Sequence, residues 1–376
     1  MVRLASRGGD ESEFFSFWQD FLAKIFALSR MFLFFYPHEV YRSCMSALVI
    51  RSFGSPLSVL EYQRTEEMSD LADGELCLKI LASPINPADL NWIEGTYGKK
   101  PELPATPGTE AVAEVVASRD AAFPVGMRVI FLDYAHGWQS QRVLRAHGLL
   151  PVPADLPWAE LAMLKVNPAT AWRMLHDFAA LQPGDVVVQN AANSAVGRCV
   201  IQLAHALGLR TFNFVRDPEP AEELRALGAD AIFRDDAEGQ QQALEALRAE
   251  GRWAQLALNA VGGESALRQC DLLADGAMQV TYGAMSRRPL TIPNKHLIFR
   301  GLRFSGFWLS QWLAHAEAAE VEKMYGTLID FMRRGQLRTM IDGMYSFEDF
   351  PAAIARLTAA DRRGKILFAP DPCLLR

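Results

Sequence analysis

The sequence predicts an α/β chain that joins a barrel-like β domain to a doubly wound parallel sheet. Three observations predict it. From Ala47 to Val143, short aliphatic and β-branched runs alternate with Gly and Pro turn punctuation. From Asn167 onward, buried apolar strands alternate with amphipathic helices. At 376 residues, the chain is too long for one ordinary core and suits two domains.

In the first part the expected strands are Ala47–Phe53, Glu75–Ile85, Glu110–Ser118, Met127–Leu132 and Gln139–Leu144, separated by Gly54-Ser55-Pro56, Asp73-Gly74, Pro107-Gly108 and Pro124-Val125-Gly126. Asn167-Pro168 then reads as an N-cap followed by a helix, Ala169–Phe178. Next come the unbroken apolar strand Val186-Val187-Val188, a small-residue turn at Asn190–Ala195 and a helix from Val196 to Leu207. Further strands are expected at Thr211–Val215, from Ala231, and at Ala254–Asn259, Ala277–Thr281 and Leu302–Phe304. The tail predicts one long helix near Leu313–Arg334, a shorter helix capped by Ser346 with Asp349 three residues on, and a last strand at Lys365–Ala369.

Half the residues are hydrophobic, 22% are charged and the net charge is -6, which describes a globular chain. Without a Lys/Arg block the sequence offers no nucleic-acid footprint. The five cysteines, Cys44, Cys77, Cys199, Cys270 and Cys373, are scattered, which reads as single thiols in a reducing compartment. The seven histidines show no metal spacing. Between Phe14 and Tyr36, Asp20, Lys24 and Arg30 interrupt the apolar residues, so no run reaches the about 20 that a membrane span needs. Residues 1–44 therefore read as a stretch outside the folded domains, with Met45 as the true start. A protein beginning at Met45 is expected to keep full activity. The expected division is 45–168 and 306–376 for the barrel-like domain, with 169–305 inserted between them.

The strand–turn–helix at Asp185–Leu207 is where a dinucleotide pyrophosphate is expected, because helix N-terminal N–H groups and small residues receive phosphate there. Its turn, Asn190-Ala191-Ala192-Asn193-Ser194-Ala195-Val196-Gly197, keeps only Gly197 of the G-x-G-x-x-G pattern. Taken alone, a structural turn is nearly as good a reading. The following strand ends in Arg216, then Asp217. A guanidinium there suits a 2′-phosphate, which favours NADPH over NADH.

Several motifs occur in order at family spacing. They are Ser83-Pro84-Ile85-Asn86-Pro87-Ala88-Asp89-Leu90-Asn91, Gly95-Thr96-Tyr97-Gly98, Pro101-Glu102-Leu103-Pro104-Ala105, Asn193-Ser194-Ala195-Val196-Gly197, Val215-Arg216-Asp217, Tyr282-Gly283-Ala284-Met285 and Gly306-Phe307-Trp308-Leu309-Ser310-Gln311-Trp312. From Met45 onward the sequence resembles the trans-2-enoyl-thioester reductases, zinc-free members of the medium-chain dehydrogenase/reductase superfamily. The resemblance implies a GroES-like barrel that carries catalysis, an inserted Rossmann domain that binds NADPH, and a homodimer. It implies Tyr97 as the catalytic acid. It also implies NADPH contacts from Asn167, Asn193, Ser194, Ala195, Val196, Arg216, Asp217, Tyr282, Gly283, Ala284, Met285, Phe307, Trp308, Leu309 and Lys365. Two departures stand out: Ala195 replaces a common glycine, and Pro218 replaces a common second arginine.

Zinc relatives use a Gly-His-Glu segment for a metal ligand, where this chain has Gly108-Thr109-Glu110, so no metal site is expected. Reduction of a conjugated double bond requires hydride at the β-carbon, a stabilised enolate and an acid for the α-carbon. Tyr97 is the candidate acid. Asn86 reads equally as an orienting amide and as a turn residue, and Phe307 and Trp308 as channel lining or core. The expected substrate is an enoyl thioester of coenzyme A or acyl carrier protein, with Lys99, Lys100, Arg287 and Arg288 as a basic patch for the carrier. No stable membrane insertion is expected, and the compartment is the cytoplasm, or the mitochondrial matrix in a eukaryote. Two readings compete: an NADPH:quinone reductase of the same superfamily, and an NADPH-binding protein without catalysis.

Overall fold

A computed structural model describes residues 45–64, 70–217, 221–359 and 361–371. The expected leader, Cys44, Pro218 and Cys373 lie outside the described residues. Seven strands come first: β1 (Ser46–Ile50), β2 (Leu60–Arg64), β3 (Glu75–Pro84), β4 (Val112–Ser118), β5 (Arg128–Phe131), β6 (Gln141–Arg145) and β7 (Leu149–Val152). Six follow in the second region: β8 (Val186–Gln189), β9 (Arg210–Val215), β10 (Ala231–Arg234), β11 (Ala254–Asn259), β12 (Leu273–Thr281) and β13 (Arg303–Gly306). The last two are β14 (Ile341–Tyr345) and β15 (Lys365–Phe368).

The second region forms a six-stranded parallel sheet in the order β10-β9-β8-β11-β12-β13. Chain direction across the sheet reverses between β8 and β11, and a crevice opens at the carboxyl ends of strands at such a point. Both faces of the central strands are covered, which is why β8 is an apolar run up to Gln189. Val187, Leu256, Leu258 and Val280 pack with Cys199, Val200 and Leu203 of the helix Ala195–Ala206 and with Met174 and Leu175 of Asn167–Asp177. On the other face Val186, Val188, Phe212 and Phe214 meet Ala243, Leu247 and Leu272.

The flanking regions build a seven-stranded, mostly antiparallel sheet along β14-β15-β3-β4-β5-β7. β3 is its axis. It pairs with β4 along one edge, with β6 over Glu75–Lys79, and with β15 at Ser83 and Pro84. The C-terminal strand thereby lies beside the segment that leaves β3 for Asn86. The turn at Gly108 needs glycine: its φ is +104°, and a Cβ there would sit 2.6 Å from the Gly137 nitrogen.

Several elements differ from the sequence expectation. The tail helix is two helices, Leu309–His315 and Ala318–Arg333, because Ala316 and Glu317 take extended backbone. Asn167 is the first helical residue rather than the cap, and Val166 occupies the cap position. Ser346 caps a turn, donating to Asp349 at 2.8 Å, and Asp349 is the N-cap of Phe350–Arg356. The helix Pro87–Ile93 and strands β2, β7 and β14 were not foreseen.

Candidate active site

Tyr97 is placed by its local chain. Asn86 takes extended backbone at the N-cap of Pro87–Ile93, proline follows, and the Asp89 carboxylate accepts the Asn86 N–H at 2.8 Å. Past the helix, the N–H groups of Thr96 and Tyr97 both donate to the Asn91 carbonyl. This folds the loop back and presents the phenol. The Trp308 indole N–H donates to the Tyr97 hydroxyl oxygen at 2.8 Å, with the rings edge-on at 5.8 Å. Trp308 leaves the end of β13, so a residue following the parallel sheet touches one carried by the mixed sheet. Burial pushes the Tyr97 phenol above its ordinary acidity range, against the donors Trp308 and Ser310. At neutral pH it holds its proton.

The turn after β8 has the geometry of an anion cradle. The Ser194 hydroxyl caps the helix by accepting from the Gly197 N–H at 3.2 Å. As the first two helical residues, Ala195 and Val196 have N–H groups with no intrahelical acceptor. Gly197 allows the close approach of turn and helix, since a Cβ there would lie 2.5 Å from the Ala192 oxygen. Asn193 is exposed, and its carbonyl accepts from Arg198 at 3.2 Å. At the crevice floor, Asn190 Nδ2 donates to Asn259 Oδ1 at 2.9 Å and to Ser265 at 2.8 Å, tying the end of β8 to that of β11.

A nicotinamide dinucleotide fits this crevice by one criterion internal to the molecule. Asn167 Nδ2 is buried and has no hydrogen-bond partner among the described residues, and the buried Tyr282 hydroxyl faces only Ser194. Polar groups buried in this way need a partner. Val196, Tyr282, Phe307 and Leu309 belong to one apolar cluster, while Ala284 and Met285 are exposed. Gly283 passes close to Ala260, whose oxygen would lie 2.9 Å from an added Cβ. Arg216 and Asp217 are exposed at the carboxyl end of β9.

Lys365 is buried under the site. Its ammonium donates to the Ile85 carbonyl at 2.7 Å and to Asn86 Oδ1 at 2.5 Å. It belongs to a network that motif reading missed. Asn86 Nδ2 donates to Glu110, the Thr109 N–H and hydroxyl donate to Asp89 at 2.7 and 2.6 Å, and Lys165 donates to the Thr109 carbonyl at 2.9 Å. Burial lowers the Lys365 ammonium to about 8, with Glu110 and Asp89 opposing the fall. The Thr109 hydroxyl is thus committed to a carboxylate. Among the described residues no three His, Cys, Asp or Glu side chains converge as a ligand set.

The chain matches the family described as alcohol dehydrogenase GroES-like domain over residues 72–149, and the one described as zinc-binding dehydrogenase over residues 195–328. It is 40% identical over 315 residues to the mitochondrial enoyl-[acyl-carrier-protein] reductase of Homo sapiens, covering 82% of this chain and 84% of that one. The mitochondrial 2-enoyl thioester reductase Etr1p/Etr2p heterodimer of Candida tropicalis superposes with a TM-score of 0.78 at 27% identity, covering 87% of this chain and 99% of that one. An Etr1p complex with NADP and crotonyl-CoA gives 0.78 at 27% identity, covering 86% and 99%. A putative NADPH:quinone reductase from Bacillus thuringiensis gives 0.79 at 26% identity, covering 86% and 98%. The chain belongs to the enoyl-thioester reductases of the zinc-free medium-chain dehydrogenase/reductase superfamily, relatives of the quinone oxidoreductases.

Proposed function

We propose that this protein reduces the double bond of a trans-2-enoyl thioester in fatty-acid synthesis, using NADPH, with Tyr97 protonating the α-carbon. The observation that carries this reading is the Tyr97 phenol, held by the Trp308 indole N–H at 2.8 Å, which joins the loop after Pro87–Ile93 to the segment leaving the parallel sheet. Bound NADPH supplies the hydride that goes to the β-carbon. The Trp308 N–H leaves the Tyr97 proton free to point at substrate and stabilises the phenolate once that proton has gone. The N–H groups of Ala195 and Val196 receive the pyrophosphate, Arg216 the 2′-phosphate, and the unpartnered Asn167 Nδ2 with the Tyr282 hydroxyl orients the nicotinamide end.

Steady-state oxidation of NADPH tests this with crotonyl-CoA, a crotonyl carrier-protein thioester and a simple quinone in parallel. Thioester turnover is the expected result. Turnover of the quinone alone would replace the proposal with the quinone-reductase reading, which the likeness to the Bacillus protein supports. NADPH binding with no turnover of any substrate would leave a binding protein.

The division into 45–168 with 306–376 and 169–305 remains part of the proposal, with the helix Asn167–Asp177 and β13 straddling its borders. Lys99, Lys100, Arg287 and Arg288 are exposed, and Arg287 pairs with Glu94 at 3.0 Å close to the Tyr97 loop, which suits an acidic carrier. The proposed compartment is the cytoplasm, or the mitochondrial matrix in a eukaryote. Among the described residues no helix is long and apolar enough to cross a membrane. The homodimer has a candidate surface: β13 is an edge strand, and Leu297, Ile298 and Phe299 just before it are 47%, 69% and 81% exposed. Phe299→Asp is expected to shift sedimentation from dimer to monomer; an unchanged dimer would remove this surface.

A further inference from the structure

One carboxylate in the framework of the site has no part in the chemistry above. Glu110 is fully buried two residues before β4. Its two oxygens face two different elements: Oε1 accepts from Asn86 Nδ2 at 2.9 Å, and Oε2 accepts the Val166 N–H at 2.8 Å. Asn86 opens the helix whose far end sets Tyr97 through the Asn91 carbonyl. Val166 opens the helix whose first residue presents the unpartnered Asn167 amide. A single side chain therefore spans the proton-donor loop and the cofactor-facing helix.

The neighbours fix its form. Asn86 Oδ1 accepts from Lys365, so the Asn86 NH2 must face Glu110. Both groups on the carboxylate are donors. An anion satisfies both, whereas a carboxylic acid would set its O–H against a donor. Burial pushes the Glu110 carboxyl up to about 7, while Lys365, Asn86, Val166 and Lys165 limit the rise.

We propose that Glu110 is a positioning residue whose ionised carboxylate, bridging Asn86 and Val166, fixes the Tyr97 loop in register with the Asn167 helix. The inference rests on the thioester-reductase reading above.

Glu110→Gln keeps the shape but turns an NH2 towards one of the two donors. Its kcat with crotonyl-CoA is expected to fall about 10- to 100-fold, with the Kd for NADPH changed less than about threefold, because small misplacements of reacting groups cost rate more than affinity. The reciprocal exchange, Asn86→Asp combined with Glu110→Gln, conserves charge and complementarity. The new carboxylate takes Lys365 and the new amide NH2, and the new amide oxygen takes the Val166 N–H. Most of the lost kcat should return. Amide hydrogen exchange provides a readout independent of turnover: residues 86–97 and 166–170 should open together in the single variant and close again in the double. A single variant with wild-type kcat and a lowered Tm overturns the inference, and so does a double variant that is unfolded or no more active than the single. If the wild type reduces no enoyl thioester, the proposed function fails on its own, and the paired exchange result still decides the role of Glu110.

Discussion

Tyr97→Phe is expected to lower kcat for an enoyl thioester by about 10²- to 10⁴-fold while leaving the Kd for NADPH within about twofold. The substitution removes one hydroxyl and keeps the ring, its edge contact with Trp308 and its packing against the cluster around Trp92. The Trp308 indole is 42% exposed, so water replaces the lost acceptor and stability changes by about 1 kcal/mol or less. Rate and fold therefore separate, and stopped-flow turnover beside a thermal melt measures both. The pH profile checks the same assignment. A donor is lost as pH rises through its own pKa, and burial holds this phenol above the ordinary value of about 10. No alkaline decline from this group is expected up to about pH 9. A decline centred near neutrality, or near-wild-type turnover in the variant, would pass the role to another acid.

Arg216→Ala is the second large effect. The guanidinium is exposed and makes no ion pair among the described residues, so its removal costs the apoprotein little. The Kd for NADPH should rise about 10- to 100-fold, equivalent to about 1.4 to 2.8 kcal/mol, whereas NADH should change less than about twofold. Because the site is open to solvent, the difference should shrink as salt is added. Fluorescence titration of both cofactors at two ionic strengths measures it. Equal losses for NADPH and NADH would end the assignment of the 2′-phosphate to this residue.

The parallel sheet was legible because its strands are buried on both faces. Val186-Val187-Val188 and the Phe212/Phe214 pair admit no solvent side, so their composition alone marks them. The position of Tyr97 was legible from its motif, but its bond to Trp308 was not, since the two lie 211 residues apart. The same distance problem hid the network beneath the site. Lys365 and Asn86 are 279 residues apart, and Glu110 and Val166 are 56 apart. Such pairings have no periodicity to betray them. Asn167 shows how local rules are overridden. Asn-Pro reads as a helix start, yet the Glu110 carboxylate takes the Val166 N–H from across the fold, and the chain enters the helix one residue early. The Asn167 amide nitrogen, released from capping, is left without a hydrogen-bond partner among the described residues.

The placement of β15 also sets an order of assembly. A nascent chain that has been synthesised as far as Gly306 already contains all six strands of the parallel sheet, and structural units generally settle as their chain emerges. The Ile85 carbonyl, just past β3, must wait for Lys365, 280 residues downstream. Until then the buried Glu110 and Asp89 carboxyl groups lack one of their two neighbouring ammonium groups. During biosynthesis the parallel-sheet half is ready first, and the framework beneath the Tyr97 loop is complete only when β15 arrives.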